Sequence, residues 1–306
     1  MSAWETVFDL QTDLWNFYRS QKGEDFLHGF MDSMKDKGTY PYRIQDGEDR
    51  EENAEADLPQ LEIGRLYRAD PIYVDPEMHE LIKVAAETFE PEPLLPSDLI
   101  TPNGFVLFPE AFTVTDIKWR TVTWRAALWQ TLTVHYVDGP KQAILISLYS
   151  HTDDHGHDED LKHLQDFPTK LALLHIAPWN FNVELPKDDR AKMPLRQLQT
   201  FFRISQQHIT VPESVQPSRA TRRRAKKAKM PEKNVTVIRL RRAKTKPEHE
   251  GEPVAWSHRW VVRGHWRNQW FPSLNAHRQI YIHDFIKGPE DKPLLITERR
   301  AFELVQ

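Results

Sequence analysis

Three stretches of this sequence carry side chains with recognisable chemistry. The first is basic: Arg219, Arg222, Arg223, Arg224, Lys226, Lys227 and Lys229, separated only by Ala220, Thr221, Ala225 and Ala228. The alanines permit a helix, while the charges repel one another until counterions or phosphates neutralise them. Arg239, Arg241 and Arg242 follow on an expected strand, and together they could form a stripe of phosphate contacts. The second stretch runs Ser257-His258-Arg259-Trp260-Val261-Val262-Arg263-Gly264-His265-Trp266-Arg267-Asn268-Gln269-Trp270. It is dense in groups that bind phosphates and stack on bases. A histidine beside an arginine also has the equipment of a metal-independent ribonuclease, a general acid or base next to a charge stabiliser. On that reading His258 or His265 is the base, and Arg263 or Arg267 stabilises the phosphorane. The third stretch, His151, Asp153, His155 and His157, offers imidazoles and carboxylates of the kind that hold zinc, iron or manganese. Its spacing fits no metalloenzyme signature, so the expectation is a solvated turn with no metal and no cofactor.

Each stretch has a plainer use. The basic run can be a solvated linker, or an internal dock for the acidic loop over 45–62. Tryptophans in a small β-region are commonly core, with histidines as hydrogen-bonded supports. Trp119, Trp124 and Trp129 recur every five residues, which fits neither strand nor helix period, and are read as core.

Charge is unevenly spread. From Arg219 to Lys246 there are 13 Lys or Arg against the single acid Glu232, a charge of +12, while the remaining 28 bases and 44 acids leave −16 elsewhere. Nucleic acid is the obvious partner for the positive piece. With no cysteine, disulfides, thiolate zinc sites and cysteine nucleophiles are excluded. Only 11 of 306 residues are glycine, and neither G-x-G-x-x-G nor G-x-x-x-x-G-K-[ST] occurs, which excludes the common nucleotide-binding loops. The longest apolar run, Ala143 to Tyr149, is far short of the roughly 20 residues a bilayer span requires. Glu5, Asp9 and Asp13 precede any basic residue, unlike a secretory signal, so the expected location is the cytoplasm.

The elements that must position these groups follow from periodicity and punctuation. Ser2-x-x-Glu5 suggests a capping box opening a helix over 3–19, and a second helix is expected over 24–36. From Gln45 to Glu62 eight acids and only Arg50 suggest a mobile acidic loop. Asp75-Pro76 starts a further helix carrying Met78, Leu81, Ile82, Ala85 and Phe89. Phe105 to Phe108 is a short strand, and the runs Trp119 to Tyr136 and Gln142 to Tyr149 form a hairpin through Asp138-Gly139. Leu171 to Ile176 is another buried strand, and Leu195, Leu198, Phe202 and Ile209 mark an amphipathic helix. The expected organisation is α+β: a mixed helix and antiparallel-sheet domain over 1–215, a basic helix or linker over 216–230, and a small antiparallel β-domain over 231–306. Runs at Val235 to Arg242, Ser257 to Arg263 and Gln279 to Ile286 supply its strands.

The block from Pro217-Ser-Arg219-Ala through Val235-Thr-Val237-Ile-Arg239-Leu-Arg241-Arg, then His258-Arg-Trp-Val-Val-Arg263-Gly-His265-Trp-Arg267-Asn-Gln, resembles a family of uncharacterised proteins from actinobacteria and their phages. The resemblance continues through His277-Arg-Gln-Ile-Tyr-Ile and Lys287-Gly-Pro-Glu-Asp-Lys-Pro-Leu, and earlier through Ala85-Ala-Glu-Thr-Phe-Glu-Pro-Glu and Leu99-Ile-Thr-Pro-Asn-Gly-Phe-Val. More distantly, Arg263-Gly-His-Trp after a basic segment is similar to the C-terminal part of a phage anti-CRISPR family directed against a type V Cas effector, which lowers that effector's expression. This resemblance implies a phage or mobile-element protein that interferes with host gene expression or defence. The residues and the resemblance together predict a non-catalytic cytoplasmic regulator. Its basic C-terminal part would engage RNA, a ribosome or another ribonucleoprotein, while the acidic N-terminal part recognises a host or phage protein. The competing readings are the ribonuclease above and an inhibitor that binds protein alone.

Overall fold

The computed structural model describes residues 3–36, 43–45, 58–115, 121–136, 139–154, 167–183, 193–241, 257–289 and 291–295. The fold is α+β, as expected. Its helices are α1 (Glu5–Tyr18), α2 (Gln21–Asp36), α3 (Leu58–Arg68), α4 (Pro76–Thr88), α5 (Met193–Ser205) and α6 (Arg219–Ala228). The first strands are β1 (Arg43–Gln45), β2 (Asp70–Val74), β3 (Asn103–Thr115), β4 (Thr121–Tyr136), β5 (Gly139–His151) and β6 (Leu171–Asn180). Then come β7 (Thr210–Val215), β8 (Val235–Leu240), β9 (Trp260–Val262), β10 (His265–Phe271), β11 (Ala276–Ile282) and β12 (Phe285–Lys287).

One mixed sheet organises the molecule in the order β6-β5-β4-β3-β2-β8-β7, with β1 paired to β4. The predicted hairpin is present, its register closing at Tyr136 opposite Gly139. Gly139 has φ 116°, a conformation open to glycine at little cost. The sheet is not purely antiparallel, because β2 runs parallel to both β3 and β8. Strand β8, expected at the head of a separate C-terminal β-region, is therefore an inner strand of the main sheet. Its side chains alternate, Val235 and Val237 facing one core and Ile238 the other.

Those two cores make three layers. On one face α1, α2, α3 and α6 cover Phe105, Leu128, Leu145, Tyr149 and Val237. On the other, α4 and α5 cover Ile72, Val106, Trp124, Trp129 and Ile146. Trp124 and Trp129 are thus core, as expected, and Trp119 lies outside the described residues. The β10–β11 hairpin packs on the second face through Trp266 and Tyr281. It is pinned there by Arg278, which reaches Asp98 at 3.0 Å and Glu92 at 3.3 Å.

Two local expectations change. Helix α1 starts without a side-chain cap, and the Glu5 carboxylate accepts instead from the backbone N of Ser218, 2.7 Å away at the start of α6; Ser2 lies outside the described residues. The acidic segment 45–62 ends inside α3, where Glu62 is fully buried and paired with Arg65 at 2.6 Å. Residues 46–57 lie outside the described ones.

Candidate nucleic-acid interface

The basic run is a helix, and its sequence explains how it docks. Ser218 caps it, its Oγ accepting from the backbone N of Thr221 at 3.3 Å. Thr221 and Ala225 are buried against α1, where only small side chains let the backbones approach. The helix closes with Met230 N donating to Ala225 O at 2.9 Å and Lys229 N to Lys226 O at 3.1 Å. This is a Schellman motif, with Lys229 in the left-handed region at φ 62° and Met230 buried.

With Thr221, Ala225 and Ala228 on the docked side, helical geometry puts Arg219, Arg223, Lys226 and Lys227 on the opposite one, and all four are exposed. The remaining basic side chains flank the contact. Arg224 forms an ion pair with the largely buried Asp9 of α1, and Arg222 lies 4.0 Å from Glu232. Burial pushes the Asp9 carboxyl above its ordinary range, an effect that Arg224 opposes. Among the described residues no ion pair engages Arg219, Arg223, Lys226, Lys227 or Lys229. Repulsion within that row, Arg219 to Arg223 to Lys227 at four-residue spacing, has no counterion among the described residues to relieve it.

The other expected contacts are dispersed. Arg239 is held by Glu213 at 2.9 Å and Asp75 at 3.4 Å, which removes it from a continuous stripe. Arg241 is exposed just past the end of β8, and Arg242 lies outside the described residues. Arg263, His265 and Arg267 are exposed on the C-terminal part, but they belong to the opposite sheet face from α6. Trp266 is no stacking platform for a base. Its Nε1 donates to Ala85 O at 3.0 Å, and its ring lies against Phe89 and Tyr281.

The residues of the ribonuclease reading lie in two places: Arg263, His265 and Arg267 run into and along β10, and His258 precedes β9. His258 pairs with Ser257 Oγ at 3.0 Å and lies on Trp260, ahead of β9, whereas His265 opens β10 with Nδ1 2.9 Å from Arg263 O. Arg267 is turned to Gln269 at 2.8 Å. Among the described residues no hydrogen bond joins either histidine to the other or to Arg267.

In the segment expected to be a solvated turn, His151 and Asp153 are engaged with other groups. His151 Nδ1 accepts from the backbone N of Asp153 at 3.2 Å, and Asp153 pairs with Lys170 at 3.1 Å. His155 and His157 lie outside the described residues. The described group of ligand-type side chains that does converge is His79, Glu80 and Glu110.

Comparison with protein-family models, curated proteins and solved structures finds no match for this chain. No helix among the described residues is long and apolar enough to cross a membrane.

The residues that sequence reasoning missed are the acidic partners of α6. Glu5, Asp9 and Asp13 recur every four residues, which places them on one face of α1. That stripe was visible, but nothing in it specifies a partner more than two hundred residues away. His79 and Glu110 had no such signal, because their proximity arises from a helix meeting an irregular strand.

Proposed function

We propose that this chain is a nucleic-acid-binding regulator without turnover of its own, which engages RNA or a ribonucleoprotein through the outer face of α6. The observation that supports it is the row Arg219, Arg223, Lys226 and Lys227, exposed, without acidic partners among the described residues, and set on a helix already anchored by its other side. A docked helix presents its charges without a backbone-ordering cost at binding, and phosphates relieve the repulsion within the row. Phosphate contacts of this kind give affinity and position rather than sequence choice. The resemblance of the Arg263-Gly-His-Trp segment supports placing that activity in a phage or mobile element, in the host cytoplasm, against host gene expression or defence.

The test replaces Arg219, Arg223, Lys226 and Lys227 with Gln together and measures binding to single-stranded and duplex RNA across a salt series. Affinity should fall, and the log-log salt slope should flatten by about 0.7 to 0.9 for each phosphate that the variant no longer neutralises. Arg224→Gln, which removes a charge already paired with Asp9, should change the slope much less. Wild-type binding that is absent or insensitive to salt would refute the proposal. The same result for the quadruple variant and for Arg224→Gln would refute the assignment to this face.

A further inference from the structure

We propose that His79, Glu80 and Glu110 form a binding site for a divalent transition-metal ion of the zinc class. The proposal is independent of the nucleic-acid reading, since the site belongs to the α4 side of the sheet. Two elements bring the ligands together. Helix α4, capped by Asp75 and led by Pro76, carries His79 and Glu80 in its first two turns. Strand β3 carries Glu110 in an irregularity, where the register with β4 jumps from Leu107 opposite Ala126 to Phe112 opposite Trp124. Pro109 has no N–H to give the ladder there, and Arg125 donates instead to the carbonyls of Phe108 and Pro109. Val106, Phe108, Phe112 and Val114 of β3 all belong to the core on the α4 side, and Glu110 falls in that same alternating series, which sets it beside α4.

One ligand atom from each of the three residues lies within 4.8 Å of the others. A tetrahedral ion with bonds of about 2.0 to 2.2 Å needs its ligands about 3.4 Å apart. Rotation of the two exposed carboxylates supplies that closure.

The histidine is the second, independent observation. His79 is only 1% exposed, and both of its ring nitrogens are buried with no hydrogen-bond partner among the described residues. Its ring is fixed against Phe112 at 4.8 Å and Phe108 at 5.6 Å between centroids. An orphaned imidazole keeps the full cost of its lost hydration, and neither neighbouring phenyl ring offers a partner. A metal–nitrogen bond would satisfy one nitrogen. Nearby, the Lys83 ammonium lies 2.9 Å from Glu80 and 3.8 Å from Glu110. The place between the carboxylates therefore already attracts a cation, and a metal ion would displace the ammonium. One imidazole with two carboxylates suits zinc better than calcium or magnesium, which prefer oxygen ligands throughout.

The experiment uses the full chain stripped by chelator and titrated with zinc by calorimetry, with cobalt substitution to report coordination by absorption. The expected result is saturable binding of one ion per chain. Glu80→Gln and Glu110→Gln, both at exposed positions, should each weaken it by more than about 10-fold, the scale on which even outer-sphere partners act. His79→Phe should abolish it while matching the aromatic surroundings, and Lys83→Ala should tighten it by removing the competing cation. Should His79→Phe fail to fold, Glu110→Gln alone decides. The proposal is overturned if no saturable binding is found, if Lys83→Ala weakens binding, or if binding survives Glu110→Gln. Loss of zinc on His155→Ala but not on Glu110→Gln would overturn it by placing the ion in the 151–157 segment.

Discussion

Arg65 and Glu62 are both fully buried where α3 meets the sheet. The Arg65 guanidinium donates to Glu62 at 2.6 Å, to Ser147 Oγ at 2.9 Å and to the carbonyls of Leu128 and Leu145, while Tyr149 donates to the other Glu62 oxygen. Burial, with the Glu62 charge adding to it, pushes the Tyr149 and Tyr18 hydroxyls well above the ordinary phenol range, so both stay protonated, and Tyr149 is the one that donates to Glu62. Arg65→Met should lower unfolding free energy by about 3 to 5 kcal/mol in urea titration, because Glu62 would be left charged and unpaired. Arg65→Met combined with Glu62→Leu should recover most of that loss. His151 sets a pH dependence. Burial, then the neighbouring Arg125, lowers its pKa below the ordinary 6.5. A depressed folded value means the unfolded chain takes up the proton first. The stabilisation is complete above pH 6.5 and is lost as pH falls through the depressed value. Thermal denaturation against pH should show that decline in wild type and a flatter profile in His151→Asn.

At the scale of elements, the hairpin of β10 and β11 depends on Gly264. A Cβ there would come 2.3 Å from the Tyr281 hydroxyl oxygen and 2.9 Å from its Cζ. Tyr281 cannot yield easily, being buried against Trp266 with its backbone N bonded to Gln207 at 3.1 Å. Gly264→Ala should therefore cost about 1 to 3 kcal/mol, measured by thermal denaturation, with Trp266 fluorescence shifting as the hairpin loosens. Legibility varied among elements for physical reasons. Helix α4 and the β4–β5 hairpin were readable because Asp75-Pro76 and Asp138-Gly139 encode their geometry locally. The end of α6 was not, since its left-handed residue is a lysine where glycine is the usual signal. Helix α3 was obscured because its start adjoins a run of acids, and a buried glutamate looks like any exposed one until its arginine is found.

Over the whole molecule, the long-range ties predict one cooperative unfolding transition rather than a stable N-terminal domain beside an independent C-terminal one. Val235 to Leu240 lies between β2 and β7, and Arg278 and Arg203 both engage Asp98 and Glu92 between β11, α5 and the segment after α4. Denaturant curves from tryptophan fluorescence and far-UV circular dichroism should coincide, and two separated transitions would contradict it. Charge is likewise settled at this scale: part of the positive run is consumed by Asp9, Glu213, Glu232 and Asp75, leaving a shorter outward row than the composition suggests. By itself the sequence determined the α+β class, most helix and strand positions, the helical form open to the basic run and the exclusion of cysteine and glycine-loop chemistry, all of which follow from local periodicity, turn residues and composition. Only the tertiary structure decided that the basic helix and the Arg263-Gly-His-Trp segment lie on opposite faces of one sheet, that Trp266 is an anchor, and that His79 meets Glu110. Those facts depend on which strands pair and where a register slips, and contacts between distant residues leave no local trace in the chain.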